Sequence, residues 1–193
     1  MHRRSASVTR FHTHPTLKPN TNGYHTFGMI TLYFLLVNPD RWNAFMIKAI
    51  HDHDMSEQFL GDIPAHVKWR FPELRQQVAV AEEQINKENR WRTGLGLHEG
   101  SVLAFLDTLD YMLYSLEERR MGNQYMDEVL VRGFANLRTQ NFKALSHYIK
   151  PEVVDAIINI FQLEYSVAGG CIFGNQIPKW GSHAQDVCRE DSK

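Results

Sequence analysis

The residues best suited to chemistry lie where an apolar helical pattern ends. Two consecutive His-Asp pairs, His51-Asp52 and His53-Asp54, stand there, and Glu57 follows three residues after the second pair. Imidazole nitrogen and carboxylate oxygen are both good ligands for divalent transition metals. A polar helix C-terminus, where a protonated histidine complements the helix dipole, is the simpler interpretation. A His-Asp dipeptide alone favours that simpler interpretation, so a metal site needs ligands from elsewhere in the chain.

Further candidate ligands lie in two other apolar segments. Nearly every position from 102 to 116 is apolar, which predicts a helix buried on most sides, yet Asp107 and Asp110 interrupt it. A buried carboxylate without compensation costs several kcal/mol, so it needs a metal, another cation or a shifted pKa. A salt bridge, for example to Arg119, is an equal alternative. His25 opens a third apolar segment, where a lone histidine is more often a cap or a core residue. Together, ligands from several helices are what a metal centre requires.

The elements that position these residues are predicted to be helices joined by short turns. Pro39 cannot continue the first helix, Asp40 is predicted to cap the N-terminus of the second, Pro72 suits the first position of the next, and Gly122 suits the end of the long one. No period-two strand pattern is convincing. The predicted helices cover about 25–37, 41–53, 72–91, 101–121, 124–137 and 151–165. We expect an all-α fold with one domain over residues 1–168 and an extended or partly disordered tail over 169–193.

Composition excludes several classes of protein. The chain has 193 residues, 21 basic and 22 acidic side chains and a formal net charge of −1, which argues against a protein that coats duplex nucleic acid. A small anionic ligand is still allowed, because a pocket can be locally basic. The apolar run Met29–Val37 is too short to span a membrane, and residues 1–9 lack the apolar region of a signal peptide. Cys171 and Cys188 have no metal-knuckle spacing, so a cytoplasmic location is expected.

Residues at several independently spaced points carry a resemblance to a known family. The sequence from about residue 10 to 123 resembles the HD-domain 5′-deoxynucleotidases of bacteria, and it is similar to the related phage dATP triphosphohydrolases of diaminopurine-containing genomes. The matching residues are Arg10-Phe11, His25, His53-Asp54, Glu57, Gly61-Asp62-Ile63-Pro64, Lys68, Asp107, Leu116-Glu117-Glu118 and Gly122-Asn123. The segment His12-Thr13-His14-Pro15-Thr16 and the short length are closer to the phage group. The resemblance implies a single HD-domain helical bundle.

The resemblance also implies which candidate residues form the site. In this family a glutamate follows the metal-binding aspartate by three residues, which selects His53-Asp54 over His51-Asp52, and the distance to Leu116-Glu117-Glu118 selects Asp107 over Asp110. The implied metal ligands are His25, His53, Asp54 and Asp107. Glu57 is implied to serve the attacking water and Asp62 the sugar. Arg10, Phe11, Thr13 and Lys68 are implied to bind substrate. Phe11 stands where relatives have a tryptophan against the deoxyribose.

The function implied is hydrolysis of a deoxynucleotide at its α-phosphorus. The first candidate is a dATP triphosphohydrolase that serves phage nucleotide metabolism in the cytoplasm of the host cell, and the alternatives are a 5′-deoxynucleotidase acting on monophosphates and a non-catalytic nucleotide-binding HD module. The cofactor implied is a divalent transition metal (Co, Mn, Zn, Fe or Ni), with a second divalent ion as a further option for a triphosphate. Relatives are oligomeric, so a homo-oligomer is expected, with no stable nucleic-acid binding and no membrane association.

Overall fold

The computed structural model describes residues 2–91 and 94–167, and it is mostly helical, at 71% helix. The predicted all-α character is therefore confirmed at this level. The helices are α1 (His2–Ala6), α2 (Asn22–Leu36), α3 (Ala44–Asp52), α4 (Glu57–Leu60), α5 (Ala65–Arg70), α6 (Pro72–Asn89), α7 (Leu97–Arg120), α8 (Met126–Arg138), α9 (Phe142–Leu145) and α10 (Pro151–Val167). The prediction of an extended tail over 169–193 lies outside the described residues.

The long helix α7 forms the centre of the fold. It packs against α2, α3, α8, α9 and α10. Phe105, Leu106, Leu109 and Met112 on α7 are all buried in one core cluster with side chains from its neighbours, including Tyr33 of α2. A helix surrounded in this way must be apolar on most sides, as the sequence predicts. The carboxylates of Asp107 and Asp110 on α7 are therefore held in fixed positions between α2 and α8.

The N-termini of α2 and α3 are fixed by side-chain caps. The Thr21 hydroxyl accepts a hydrogen bond from the backbone N–H of Tyr24, and the Asn43 side chain accepts one from the backbone N–H of Met46. The predicted cap at Asp40 is wrong. Asp40 lies in a 3-10 turn over Pro39–Arg41, and α3 begins only after Asn43, whose extended backbone and short amide suit the cap position.

The end of α7 follows the sequence signal closely. Gly122 adopts φ of 97°, a left-handed conformation that favours glycine, and its N–H donates to the carbonyl of Arg119. The beginning of α7 differs from the prediction. The helix starts at Leu97 and continues through Gly100, because one glycine inside a well-packed helix costs only about 1 kcal/mol.

A short antiparallel hairpin was not predicted from the sequence. Strand β1 (Thr9–Arg10) pairs with strand β2 (Asn20–Thr21), with Arg10 opposite Asn20. Each strand has two residues, too few to show a period-two pattern. The hairpin holds Arg10 beside Asn20, which lies two residues before the start of α2. Among the described residues, no helix is both long and apolar enough to cross a membrane.

Candidate metal centre and substrate cavity

The four predicted metal ligands lie together although they come from separate elements. His25 is in the second turn of α2, Asp107 is on α7, and His53 and Asp54 directly follow α3. The Nε2 atom of His25 lies 3.2 Å from Nε2 of His53 and 3.0 Å from Oδ1 of Asp107. His53 Nε2 lies 3.1 Å from Oδ2 of Asp54. One ligand atom from each of His25, His53 and Asp54 lies within 4.8 Å of the others, and Asp107 adjoins this group through His25.

The outer nitrogens of both imidazoles fix which atoms face the centre. His53 Nδ1 lies 2.6 Å from the carbonyl oxygen of Ile50, which can only accept, so Nδ1 must be the donor. His25 Nδ1 lies 2.7 Å from Oδ2 of Asp110 and donates to it. Such partners are typical of metal-binding histidines, because they orient the ring and leave Nε2 as the ligand.

This arrangement fits a cation. In neutral imidazoles held by Nδ1 donation, both Nε2 atoms carry a lone pair, and here they face each other at 3.2 Å beside two carboxylates. Lone pairs so close repel each other unless a proton or a positive ion lies among them. Two histidines and two aspartates are a suitable donor set for a divalent transition ion with positions left for water and substrate.

The pKa values respond to the same concentration of charge. Burial and Arg10 act to lower the pKa of His25, but hydrogen bonds to Asp107 and Asp110 outweigh them and raise it to about 9. Burial acts to raise the pKa of Asp54, yet His53 and Arg10 hold it well below its usual range. The carboxylates are therefore kept ionised, which is the state that binds a cation.

Arg10 reaches the centre from the hairpin. Its guanidinium pairs with Asp54 through Nη1, and Nη2 lies 3.9 Å from Oδ1 of Asp107. Burial acts to lower the pKa of Arg10, but Asp54 and Asp107 outweigh it and raise the pKa further. A planar cation therefore lies directly beside the predicted ligands, where a phosphate bound at the same centre would meet it.

Glu57 is buried at the start of α4, next to the ligand group. Asn22 donates from Nδ2 to Oε2 of Glu57 at 2.7 Å, and its Nδ2 also lies 3.4 Å from the carbonyl oxygen of Asp54. Burial raises the pKa of Glu57 to about 8, and Asp54 adds to the rise. Sequence reasoning missed Asn22. The available signal was its position three residues before His25, which places both on one face of α2.

Asp110 also belongs to the site, although sequence spacing favoured Asp107 alone. The structure brings both to His25: Asp107 contacts Nε2 and Asp110 contacts Nδ1. Gly28 makes room for this contact, since a Cβ there would lie 1.8 Å from Oδ1 of Asp110. His51 and Asp52 are the His-Asp pair that the resemblance does not select as metal ligands. Nδ1 of His51 lies 2.7 Å from Oδ1 of the buried Asp52, and Lys48 also pairs with Asp52.

A cavity of about 280 Å³ opens beside the metal centre. The predicted substrate residues Arg10, Phe11, Thr13 and Lys68 line it, as does Asp62. Lys68 pairs with Glu82 at 3.4 Å, and Asp62 lies 3.8 Å from His12. The remaining lining residues are Asp54, Glu57, Asp107, His14, Ile63, Pro64, Tyr111, Glu128, Val129, Arg132 and Asn136. The contribution of α8 was not predicted, because it depends on how α8 packs on α7.

Phe11 has an unusual backbone conformation. Its φ is 56°, which bulky residues rarely adopt. Two contacts hold it there: the N–H of His14 donates to its carbonyl at 2.8 Å, and its ring lies 5.0 Å from that of Tyr114. Residues in such conformations cluster at functional sites, where the surroundings impose them. The strain thus agrees with the substrate role predicted for Phe11.

The segment that carries Phe11 is tied to the end of α7. The buried carboxylate of Glu118 accepts hydrogen bonds from the backbone N–H groups of Leu17 and Lys18, each at 2.7 Å, and from Nδ2 of Asn123 at 2.8 Å. Asn123 also donates to the carbonyl of Pro15 at 2.7 Å. Burial acts to raise the pKa of Glu118, but these hydrogen bonds lower it overall. The hydrogen bonds of Glu118 and Asn123 therefore hold residues 15–18 against the C-terminal end of α7.

No protein-family model matches the chain, and no curated protein matches it at a significant level. Inference of function therefore rests on the side chains of this site.

Proposed function

We propose that the chain is a metal-dependent phosphohydrolase of the HD-domain type that acts on a deoxynucleotide at the α-phosphorus, with dATP as the first candidate substrate. The observation that carries the proposal is the convergence of His25, His53, Asp54 and Asp107 beside a cavity that Arg10 and Glu57 also line. A helical protein has no structural need for two facing imidazoles and two aspartates at the edge of its core.

Each side chain of the site has a separate role in the proposed reaction. A divalent transition ion, when bound by the two histidines and two aspartates, supplies Lewis acidity that activates water and polarises a phosphoryl oxygen. Glu57, held by Asn22, is placed to orient the attacking water and, in the ionised form that predominates above its raised pKa of about 8, to accept the proton of that water. The water oxygen bonds to the α-phosphorus while the bond to the 5′-oxygen breaks, and the proton gained by Glu57 balances the one that the leaving oxygen requires. Arg10 stabilises the negative phosphoryl oxygens.

Two cavity residues suit the sugar. Asp62 accepts a hydrogen bond from a sugar hydroxyl, and Phe11 provides an aromatic wall whose ring packs against the ring of Tyr114 at 5.0 Å. A rigid wall of this kind discriminates against an added 2′-hydroxyl by excluding its volume. The selectivity for deoxynucleotides is accordingly assigned to Phe11.

A 5′-deoxynucleotidase acting on monophosphates is the second candidate, and the charge of the cavity favours it. Among the described residues that line the cavity, five are carboxylates (Asp54, Glu57, Asp62, Asp107 and Glu128) and three are Lys or Arg (Arg10, Lys68 and Arg132). A triphosphate carries more negative charge than a monophosphate and needs cations beyond the metal centre. A second divalent ion, bound with the triphosphate, is one source of that charge.

The exposed side of α2 supports the expected homo-oligomer. This helix contains no Asp, Glu, Lys or Arg, and Tyr24, Phe27 and Leu35 are each at least 70% exposed. Apolar patches of this kind are often contact surfaces between chains. Association through α2 is therefore proposed together with the hydrolase function.

The direct test is incubation of the purified protein with each deoxynucleoside mono- and triphosphate in the presence of Mn, Co, Zn, Fe or Ni, with chromatographic separation of the products. We expect deoxyadenosine and triphosphate from dATP. His53→Ala should abolish the reaction, whereas His51→Ala, two residues away and outside the ligand group, should retain it. Absence of product under every condition, or equal activity of His53→Ala and the wild type, would refute the proposal. Nucleotide binding without product would instead favour the non-catalytic HD module.

A further inference from the structure

One wall of the cavity comes from α8, which the proposed mechanism does not use. Glu128, Val129, Arg132 and Asn136 lie on one face of this helix and line the cavity. The spacing of four residues between Glu128, Arg132 and Asn136 aligns them along that face. The question is which part of a nucleotide this wall contacts.

Close packing brings this wall to the cavity. A Cβ on Gly133 would lie 2.4 Å from Cγ of the buried Met112 side chain, so glycine at this position lets α8 pack closely on α7 without displacing that side chain. Asn136 donates from Nδ2 to the hydroxyl of Tyr111 at 2.9 Å, and Tyr111 is one turn along α7 from Asp107. Asn136 is thus the wall residue that is bonded at the metal-centre end of the cavity. Arg132 lies one turn before Asn136 in α8.

Arg132 is a cation of this wall, and one of its partners is an exposed and replaceable carboxylate. Its Nη2 pairs with Glu128, four residues earlier, and the Glu128 side chain is 65% exposed. Exposed pairs of this type contribute little to stability, so an anion in the cavity displaces the glutamate at small cost. Arg10, in contrast, is partly buried between Asp54 and Asp107, where the proposed function assigns it to the phosphate at the metal centre.

We infer that Arg132 binds the phosphates beyond the α-phosphate, with Glu128 as a carboxylate that competes with them for the guanidinium. Lys68, which α5 contributes to the same cavity, supplies a further positive charge for this subsite. The inference rests on the proposed function for the position of the α-phosphate. It makes Arg132 the residue that determines preference for tri- over monophosphate.

The experiment compares the wild type with Arg132→Gln, Glu128→Gln and Arg120→Gln. The last removes an arginine that also pairs with a glutamate, Glu164, but lies outside the cavity lining. The ratio of kcat/KM for dATP to that for dAMP should fall about tenfold or more in Arg132→Gln, since a charge-assisted hydrogen bond has at least this effect. The ratio should rise in Glu128→Gln and stay constant in Arg120→Gln. Equal loss for both nucleotides, or no change of the ratio in either cavity variant, would overturn the inference.

A binding measurement separates this inference from the hydrolase proposal. The metal-loaded proteins are titrated calorimetrically with inorganic tripolyphosphate and with orthophosphate, each equilibrated with the same divalent ion. The inference predicts that Arg132→Gln weakens tripolyphosphate binding about tenfold and orthophosphate binding much less. This result in a protein that hydrolyses no nucleotide would sink the hydrolase proposal and leave the subsite intact. Failure of the wild type to bind tripolyphosphate more tightly than orthophosphate would sink the subsite.

Discussion

Replacement of Glu118 by glutamine tests how the fold positions the segment that carries the substrate residues. The Glu118 side chain is fully buried, and its two oxygens accept three hydrogen bonds, from Leu17, Lys18 and Asn123. Glutamine has nearly the same shape, but it loses the negative charge and replaces one accepting oxygen with a donating amide. At least one backbone N–H then faces another donor.

The magnitude follows from the number of bonds lost. A hydrogen bond to a charged group contributes about 1.5–3 kcal/mol. Loss of one or two of the three bonds predicts that Glu118→Gln lowers the free energy of unfolding by about 2–4 kcal/mol at neutral pH. Glu117→Gln is the matched control, because Glu117 is exposed and lies 3.5 Å from the ammonium group of Lys18. An exposed pair of this kind contributes roughly 0–1 kcal/mol.

The assay is urea unfolding followed by tryptophan fluorescence, repeated over a range of pH. The pKa of Glu118 is lowered on folding, so its contribution is fully present above its ordinary value of 4.5 and is lost as the pH falls through the lowered folded value. The difference between wild type and Glu118→Gln should therefore shrink in acid. The reasoning would be refuted if Glu118→Gln lowered the free energy of unfolding no more than Glu117→Gln does. It would also be refuted if the difference in unfolding free energy between the wild type and Glu118→Gln did not depend on pH.

Three further predictions concern the site itself. Glu57→Gln should retain the metal and bind substrate but lose turnover, as seen by comparing metal content with kcat; full turnover would remove Glu57 from the reaction. Asp110→Asn should weaken metal affinity about tenfold to a hundredfold, because His25 loses the charged partner that orients it, and titration with Mn or Zn measures this. Unchanged affinity would show that Asp110 has no such role. Phe11→Ala should bring the hydrolysis rates of dATP and ATP closer together, and an unchanged rate ratio would exclude Phe11 from sugar discrimination.

Many of the helix ends were predictable because their signals are local, whereas the ligand set followed from the family resemblance. Capping residues, prolines and glycines mark helix ends through the backbone conformations that they favour, as Gly122 does at the end of α7. His53, Asp54 and Glu57 could be selected because the family has a glutamate three residues after its metal-binding aspartate. The structure brings these residues to one place, and their function stays a prediction.

The rest of the site depends on contacts between distant segments. The β1–β2 hairpin joins strands of two residues, which leave no period in the sequence. The family spacing selected Asp107 and gave no indication that Asp110 also contacts His25, through the other ring nitrogen. The wall formed by α8 follows from the close approach that Gly133 permits, and nothing near Arg132 in the sequence indicates a cavity.

The most direct test of the central claim is the metal content of the purified chain, measured by plasma emission spectroscopy for the wild type and for Asp54→Asn. The arrangement of His25, His53, Asp54 and Asp107 predicts about one tightly bound divalent transition ion per wild-type chain. In Asp54→Asn the ion should be largely lost while the helical circular dichroism is unchanged. A wild-type chain that takes up no such ion, or an Asp54→Asn variant that binds it as tightly, would contradict the account.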